Sequence, residues 1–222
     1  MPILGWQGVF SRQKSTPYPG KDIIMTHKSS KKTRALAATA MLGAVGFVLM
    51  FLELSVPFMP GFIKLDFSEL PSLLAAFAYG PLSGAAVCLI KNVLHIFIGG
   101  TTGGVGELSN FILGCLYVVP AGLIYEKVKS RKGALLGSLC GCAVSAVLSW
   151  PLNYFIIYPL YGKLMPMDVI VSLYQQLDPS CTGLGSALLR FNVPFTFGKE
   201  AVVCLITFLI YKKLSPILHG RK

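Results

Sequence analysis

The sequence predicts an all-α, polytopic membrane protein: a bundle of six transmembrane helices with its N- and C-termini on the cytoplasmic side. Three observations predict it. The 222 residues are 54% hydrophobic and 13% charged, with a mean hydropathy of +0.66, whereas soluble domains carry roughly 25% charged residues. Six apolar stretches follow one another, most of them near the roughly 20 residues that a helix needs to cross a bilayer. The basic residues behind the formal charge of +11 gather at the ends of those stretches, which is the positive-inside pattern rather than a nucleic-acid-binding face.

Residues 1–33 are polar and basic, rich in Pro, Ser and Lys, and lack the apolar core of a secretory signal. They read as a disordered cytoplasmic segment. A short Lys-rich stretch after Met25 leads directly into the first span, which leaves open whether residues 1–24 are working protein or an upstream extension of the reading frame. With Lys28, Lys31, Lys32 and Arg34 inside, the first span, about 34–54, runs outward. Ala37, Ala40 and Ala44 lie at i, i+3 and i+7 in it, with Gly43 beside them. Small residues at this spacing let a second helix approach closely in lipid. That helix is either one of this chain or one of another subunit, and the three alanines are candidate partner-docking residues.

The first outer connection, Ser55–Phe67, contains Pro57, Pro60 and Gly61 and ends in a strand-like stretch, Phe62–Leu65. Asp66-Phe67-Ser68-Glu69 before Leu70-Pro71 fits a capping box, with Asp66 at the N-cap and Glu69 reaching back. Such a cap fixes how the preceding stretch lies over the membrane face, where Lys64, Leu65 and Asp66 are placed to bind a polyol chain. The second span, about 68–80, is short, and Gly80-Pro81 turns it into the third, about 82–99. Lys91, Asn92 and His95 lie on the third span, and Glu107 and Asn110 open the fourth, about 107–126. A Lys91–Glu107 pair would cancel two buried charges and lock two helices together; the alternative is direct substrate contact, or a His95–Glu107 proton relay.

The Gly-rich stretch Gly99–Gly106 reads as a turn, and the Lys127–Lys132 cluster puts the end of the fourth span inside. In the fifth span, about 133–158, Asn153 sits near the outer end among Tyr154, Phe155, Tyr158 and Tyr161. An amide donates and accepts at once, which suits the edge of a heterocycle with alternating C=O and N–H groups, and the aromatic neighbours can stack on its face. The competing reading is an interfacial aromatic belt with an incidental asparagine. The third outer connection, about Pro159–Leu189, exceeds the roughly 12–15 residues beyond which loops are usually functional or disordered. With the first connection it is a candidate lid.

The sixth span, about 190–213, carries Asn192, Thr196 and Lys199 at i, i+4 and i+7, on one helical face. Lys199 lies about 15 Å from the outer end at 1.5 Å per residue, too deep for its stem to reach the interface. A lone central lysine costs roughly 2.5–3.5 kcal/mol on insertion scales. Either Glu200 and neighbouring helices neutralise it, or it binds a ligand. Asn153, Thr196 and Lys199 together outline a small polar pocket in the outer half, suited to a small, planar, hydrogen-bonding solute. Lys212, Lys213, Arg221 and Lys222 return the C-terminus to the inside, with 215–222 as a cytoplasmic tail.

Other chemistries find no support. Cys88, Cys115, Cys140, Cys142, Cys181 and Cys204 form no CxxC or Cys/His spacing and read as reduced packing residues. There is no metal site, no phosphate loop for ATP hydrolysis, no HExxH and no nucleophile elbow. Hydropathy shows no two matching halves, against an inverted-repeat carrier. The expectation is a protein that is not an enzyme and holds no cofactor.

A set of motifs in fixed order resembles the S components of the energy-coupling-factor (ECF) transporters, specifically their riboflavin-specific branch. They are Phe47-Val48-Leu49-Met50, Ile63-Lys64-Leu65-Asp66-Phe67-Ser68-Glu69-Leu70-Pro71 and Tyr79-Gly80-Pro81-Leu82-Ser83-Gly84. Then follow Ile90-Lys91-Asn92-Val93-Leu94, Gly106-Glu107-Leu108-Ser109-Asn110-Phe111, Asn153-Tyr154, Pro159-Leu160-Tyr161 and Pro194-Phe195 with Lys199. The resemblance covers about Arg34 to Leu214. It implies a membrane substrate-binding domain over 34–214 in the cell membrane that captures riboflavin from outside with high affinity. The isoalloxazine would sit near Asn153, Thr196 and Lys199, flanked by Tyr154 and Asn192, under the first outer loop. The small residues of the first helix would dock on a transmembrane coupling subunit driven by two ATPases, and the subunit would topple in the membrane to deliver the vitamin. Two positions depart from the family pattern Asn-x-x-Lys-Gly: Thr196 replaces Asn and Glu200 replaces Gly. They leave open the preference among riboflavin, FMN and other flavins, with Lys64 available to a phosphate. Other readings are an S component for thiamine, biotin or a folate, and a stand-alone proton-coupled carrier.

Overall fold

The computed structural model describes residues 31–100 and 102–218. The basic arm, up to residue 30, and the last four residues lie outside it. The segment assigned to the arm is already helical from Lys31, and the final helix runs on through Leu218, into the stretch assigned to the tail.

Helix α1 (Lys31–Met50) is followed by an antiparallel hairpin of β1 (Leu54–Ser55) and β2 (Lys64–Leu65), in which Leu54 faces Leu65 and Ser55 faces Lys64. Then come α2 (Glu69–Tyr79), α3 (Pro81–Ile98), α4 (Val105–Lys127) and α5 (Arg131–Leu152). The fifth helix does not stop there. It continues through a π-helical turn, Asn153–Ile157, into α6 (Tyr158–Tyr161). Helix α7 (Met167–Leu177) lies in what the sequence presents as one long loop, and α8 (Leu184–Ala187) runs through a second π-helical turn, Leu188–Asn192, into α9 (Val193–Leu218).

The two π-turns share a cause. In the first, the Tyr158 N–H reaches back five residues to the Asn153 carbonyl, and in the second the Val193 N–H reaches Leu188. Each donor is followed directly by a proline, Pro159 or Pro194, which has no N–H to give and whose ring crowds the carbonyl four residues back. The helix widens there. The turns carry Asn153 and Asn192, in keeping with the tendency of such bulges to occur at functional sites.

Among the described residues, five helical stretches are long and apolar enough to cross a membrane: Lys32–Met50, Pro81–Ile98, Val105–Lys127, Arg131–Tyr161 and Leu184–Ile210. The chain is a multi-pass membrane protein. The expected second span is the exception, because α2 has 11 residues, about 16 Å of helix. It is wrapped by α1, α3, α4 and α9, and Leu73, Ala75 and Ala76 in it are fully buried. It ends at Gly80, whose φ of +100° suits only glycine, and Pro81 then starts α3 at a position where its missing N–H costs nothing. This turn packs beside Glu126, at the end of α4 that leads into the Lys127–Lys132 cluster.

At the core α4 lies against α5, α3 and α2, and α9 against α5 and α2. Tyr117, Val118, Leu73, Cys88, Cys142 and Val203 fill the centre. A Cβ on Gly141 would stand 2.3 Å from the Tyr117 carbonyl oxygen, so glycine is what lets α4 and α5 approach so closely. The opposite end from the Gly80 turn is closed by a second cluster, Ile157, Tyr158, Ile170, Tyr174 and Leu188, on which Phe62 of the hairpin packs. The six cysteines are free thiols.

Candidate ligand-binding site

Between the hairpin, α4, the first π-turn and α9 lies a cavity of about 250 Å³. Met50, Phe62, Ile63, Ile157 and Phe195 line its apolar wall, and a dense set of polar side chains lines the rest. Asn153, Asn192, Thr196 and Lys199 all reach it, as do Lys64 and Asp66. The i, i+4, i+7 spacing on the last helix and the amide of the fifth thus converge on one space. Leu65 does not line it: it is the strand partner of Leu54. Nor does Tyr154, whose ring stacks on Trp150 with centroids 5.2 Å apart and planes 8° apart, on the outer face of the bundle. Alternation puts Leu65 away from its neighbours, and the indole, which donates to the Gly185 carbonyl at 3.0 Å, holds Tyr154 outward.

Charge in the site is arranged in pairs. The Lys199 ammonium donates to Asp66 Oδ2 at 2.8 Å and to Asn110 Oδ1 at 3.4 Å. Asp66 Oδ1 accepts from the Ser68 amide at 2.8 Å, a turn between residues i and i+2. The expected capping box does not form, because Ser68 takes the N-cap position without a side-chain bond to the helix backbone and Glu69 faces inward to meet Lys91. Burial opposes the charge on Asp66, but Lys199 and Lys91 outweigh it and hold the carboxyl well below the usual carboxylate range.

The expected Lys91–Glu107 pair is likewise replaced. Lys91, fully buried, donates to Glu69 and to Ser68, each at 2.6 Å. This lets α3 tie down the start of α2, which a bond to α4 would not. Glu107 instead pairs with His95 at 2.8 Å and accepts from Thr102 at 3.1 Å. His95 and Glu107 both line the cavity; Lys91 and Asn92 do not. Lys64 pairs with Glu53 across the hairpin.

The outer cap adds Tyr174, which residue spacing alone did not single out, to Asn192 and Tyr158. The Tyr174 hydroxyl donates to Asn192 Oδ1 at 2.7 Å, and Asn192 Nδ2 donates to the Tyr158 hydroxyl at 3.1 Å. The two tyrosine hydroxyls also bond each other. Burial pushes the Tyr174 phenol far above its ordinary value, so it remains a donor. The available signal was the i, i+4 placement of Ile170 and Tyr174, the two buried residues of an otherwise polar-faced α7. Next to this cap, Arg190 joins Asp178 at 2.6 Å, and hydrogen bonds from Ser180 bring the exposed Asp178 carboxyl down to about 2.

Ala37, Ala40 and Ala44 lie apart from the cavity, on the exposed face of α1. Gly43 between them points the other way: a Cβ there would be 2.7 Å from Ile90 on α3. Among the described residues no cluster of three or more metal-ligating side chains occurs.

A multi-pass helical bundle with a polar cavity near one end, roofed by a hairpin and a short amphipathic helix, is the form of a solute-binding membrane subunit. This chain belongs to the family of ECF transporter substrate-specific components, whose profile matches residues 34–211. It is 35% identical over 193 residues to the riboflavin transporter FmnP of Bacillus subtilis strain 168, covering 86% of this chain and 97% of that protein. It is 32% identical over 189 residues to the riboflavin transporter RibU of Staphylococcus aureus strain TCH60, covering 85% and 94%. A solved S component of a bacterial ECF transporter superimposes with a TM-score of 0.68 at 32% identity, over 85% of this chain and 99% of that one. Such proteins are transport components, not enzymes, and an ECF module is the family's partner.

Proposed function

We propose that this chain is a riboflavin-binding subunit that mediates vitamin uptake with an ATP-driven ECF module. The observation that carries the reading is the convergence of Asn153, Asn192, Thr196 and Lys199 on one cavity, in a chain that spans 97% of a riboflavin transporter. Aliphatic and aromatic walls suit the dimethylbenzene side of an isoalloxazine, while the amides and the ammonium suit its carbonyl edge. The backbone of the Lys64–Leu65 strand and the adjoining Asp66 suit the ribityl hydroxyls. High affinity is expected because the roof is already packed in place.

In this reading the protein sits in the cell membrane with both termini cytoplasmic. Helix α2 counts as the sixth crossing: it spans from cavity depth to the inner end, and the hairpin fills the outer part. The exposed alanine face of α1 docks on a transmembrane coupling subunit that two ATPases drive, and no cofactor takes part. FMN is disfavoured, since Lys64 and Lys199, the lysines at the cavity wall, already have acidic partners.

The test is a titration of the detergent-purified chain, expressed without partners, with riboflavin. Quenching of flavin fluorescence at nanomolar concentrations, or a flavin absorption band that co-purifies, is the expected result. A colourless protein that leaves riboflavin fluorescence unchanged, or that prefers thiamine, biotin or a folate in competition, overturns it.

A further inference from the structure

Glu200 is the one acid at the cavity wall with no lysine or histidine bound to it among the described residues. It lies on α9, one residue beyond Lys199, lines the cavity and is only 3% exposed. Its Oε1 accepts a hydrogen bond from the Ser145 hydroxyl at 2.6 Å, whereas its Oε2 is buried and has no partner. The neighbouring ammonium does not serve it, being committed to Asp66 and Asn110. The helix cannot simply rotate the group away, because the Tyr117 hydroxyl donates to the Glu200 backbone carbonyl at 3.3 Å. Buried polar atoms are hydrogen-bonded in the large majority of cases, so a lone exception at a cavity wall calls for an occupant.

The chemistry of that occupant follows from the pair of adjacent residues. Lys199 has three N–H donors, of which two are engaged. One donor therefore remains on Lys199, and one unpartnered carboxyl oxygen on the next residue, Glu200, both lining the same cavity. A ring edge that places a carbonyl beside an N–H complements the two, the carbonyl toward Lys199 and the N–H toward Glu200. A cyclic imide, C=O–NH–C=O, has that edge, and the isoalloxazine carries one around N3.

We propose that Glu200 is a specificity-determining contact whose Oε2 accepts the hydrogen bond of the ligand's imide N–H. This rests on the riboflavin reading and deepens it. It also gives the acid a role at a position where the family pattern has glycine.

The test compares riboflavin with N3-methylriboflavin, which lacks only that N–H, on the full chain in detergent. Wild type is expected to bind riboflavin at least tenfold more tightly than the methylated analogue. Glu200→Ala is expected to weaken riboflavin at least tenfold while changing the analogue by less than threefold, so the two affinities converge. Glu200→Gln keeps an acceptor oxygen of the same shape, and covers the case in which the alanine variant does not fold. It is expected to lose less, two- to fivefold, again on riboflavin alone. Equal losses on both ligands, or no loss in either variant, overturn the proposal, because a merely structural role cannot sense a methyl group on the ligand. A wild type that binds neither flavin overturns the riboflavin reading itself, and that outcome is separate from the behaviour of the variants.

Discussion

Lys199 and Asp66 are 133 positions apart in the sequence and 2.8 Å apart in the fold. One stands on α9 and the other closes the hairpin loop, so their bond ties the roof of the cavity to its floor. Both side chains are about one-tenth exposed, which makes this a buried pair. Removing one partner of such a pair costs roughly 3–5 kcal/mol, while replacing both by apolar groups is often close to neutral. Asp66→Ala is therefore expected to lower the thermal unfolding temperature of the ligand-free protein sharply, and Asp66→Ala with Lys199→Met to recover most of the loss. A double variant as unstable as the single one would show that the pair is not what holds the roof.

The same pair sets a pH window. The folded Asp66 carboxyl titrates below its ordinary 3.8, so the stability it contributes is complete above that value and is lost as pH falls toward the folded one. The gap in unfolding temperature between wild type and Asp66→Asn is expected to stay constant from pH 7 to pH 5 and to shrink only below about 3.8. A gap that narrows already at pH 6 would show that the Asp66 charge is not what makes the Lys199 bond stabilising.

For binding, Lys199→Ala and Asn153→Ala are each expected to weaken riboflavin at least tenfold, about 1.4 kcal/mol, read by fluorescence quenching. Both side chains line the cavity, but they meet it from different helices and from different chemistry. Unchanged affinity in both variants, in protein that still unfolds cooperatively, would sink the site assignment.

Binding and delivery are separable on α1. Ala40 is exposed, whereas Gly43, three residues on, would place a Cβ 2.7 Å from Ile90. Ala40→Trp is expected to leave riboflavin affinity intact and abolish uptake in cells carrying the full transporter, by blocking close approach of a partner helix. Gly43→Trp is expected to impair both, because it wedges α1 away from α3. Uptake that survives Ala40→Trp would move the docking surface elsewhere.

How much of this was legible in the sequence depended on distance along the chain. The long spans, the Gly80-Pro81 turn and the shared face of Asn192, Thr196 and Lys199 follow from local pattern, and each stands where that pattern puts it. The partners of the buried charges do not. The sequence paired Lys91 with Glu107 and gave Glu69 to a helix cap, and only the packing of α3 against the start of α2 brings Lys91 to Glu69. Tyr154 and Leu65 belong to the right segments, yet their direction is set by Trp150 and by strand pairing. Helix α7 was hidden because its length, 11 residues, falls short of a span and its polar face reads as loop.

The π-turns were half visible, as prolines without a stated consequence, and they lead to a final expectation. Pro194 follows the Val193 N–H that closes the second turn on Leu188, and that turn positions Asn192 against Tyr174 and Tyr158. Pro194→Ala restores an N–H and relieves the clash, so ordinary α-helical bonding through residues 188–194 becomes available. Tightening the turn rotates Asn192 relative to Thr196 and Lys199, which remain fixed by the rest of α9. The expected result is an unfolding temperature equal to or above that of wild type, together with riboflavin affinity at least fivefold lower. The opposite sign of the two effects matters, because a proline that merely broke the helix would, when removed, leave binding as it was. Its removal lowers affinity only if the wide turn is what sets the amide at the cavity wall.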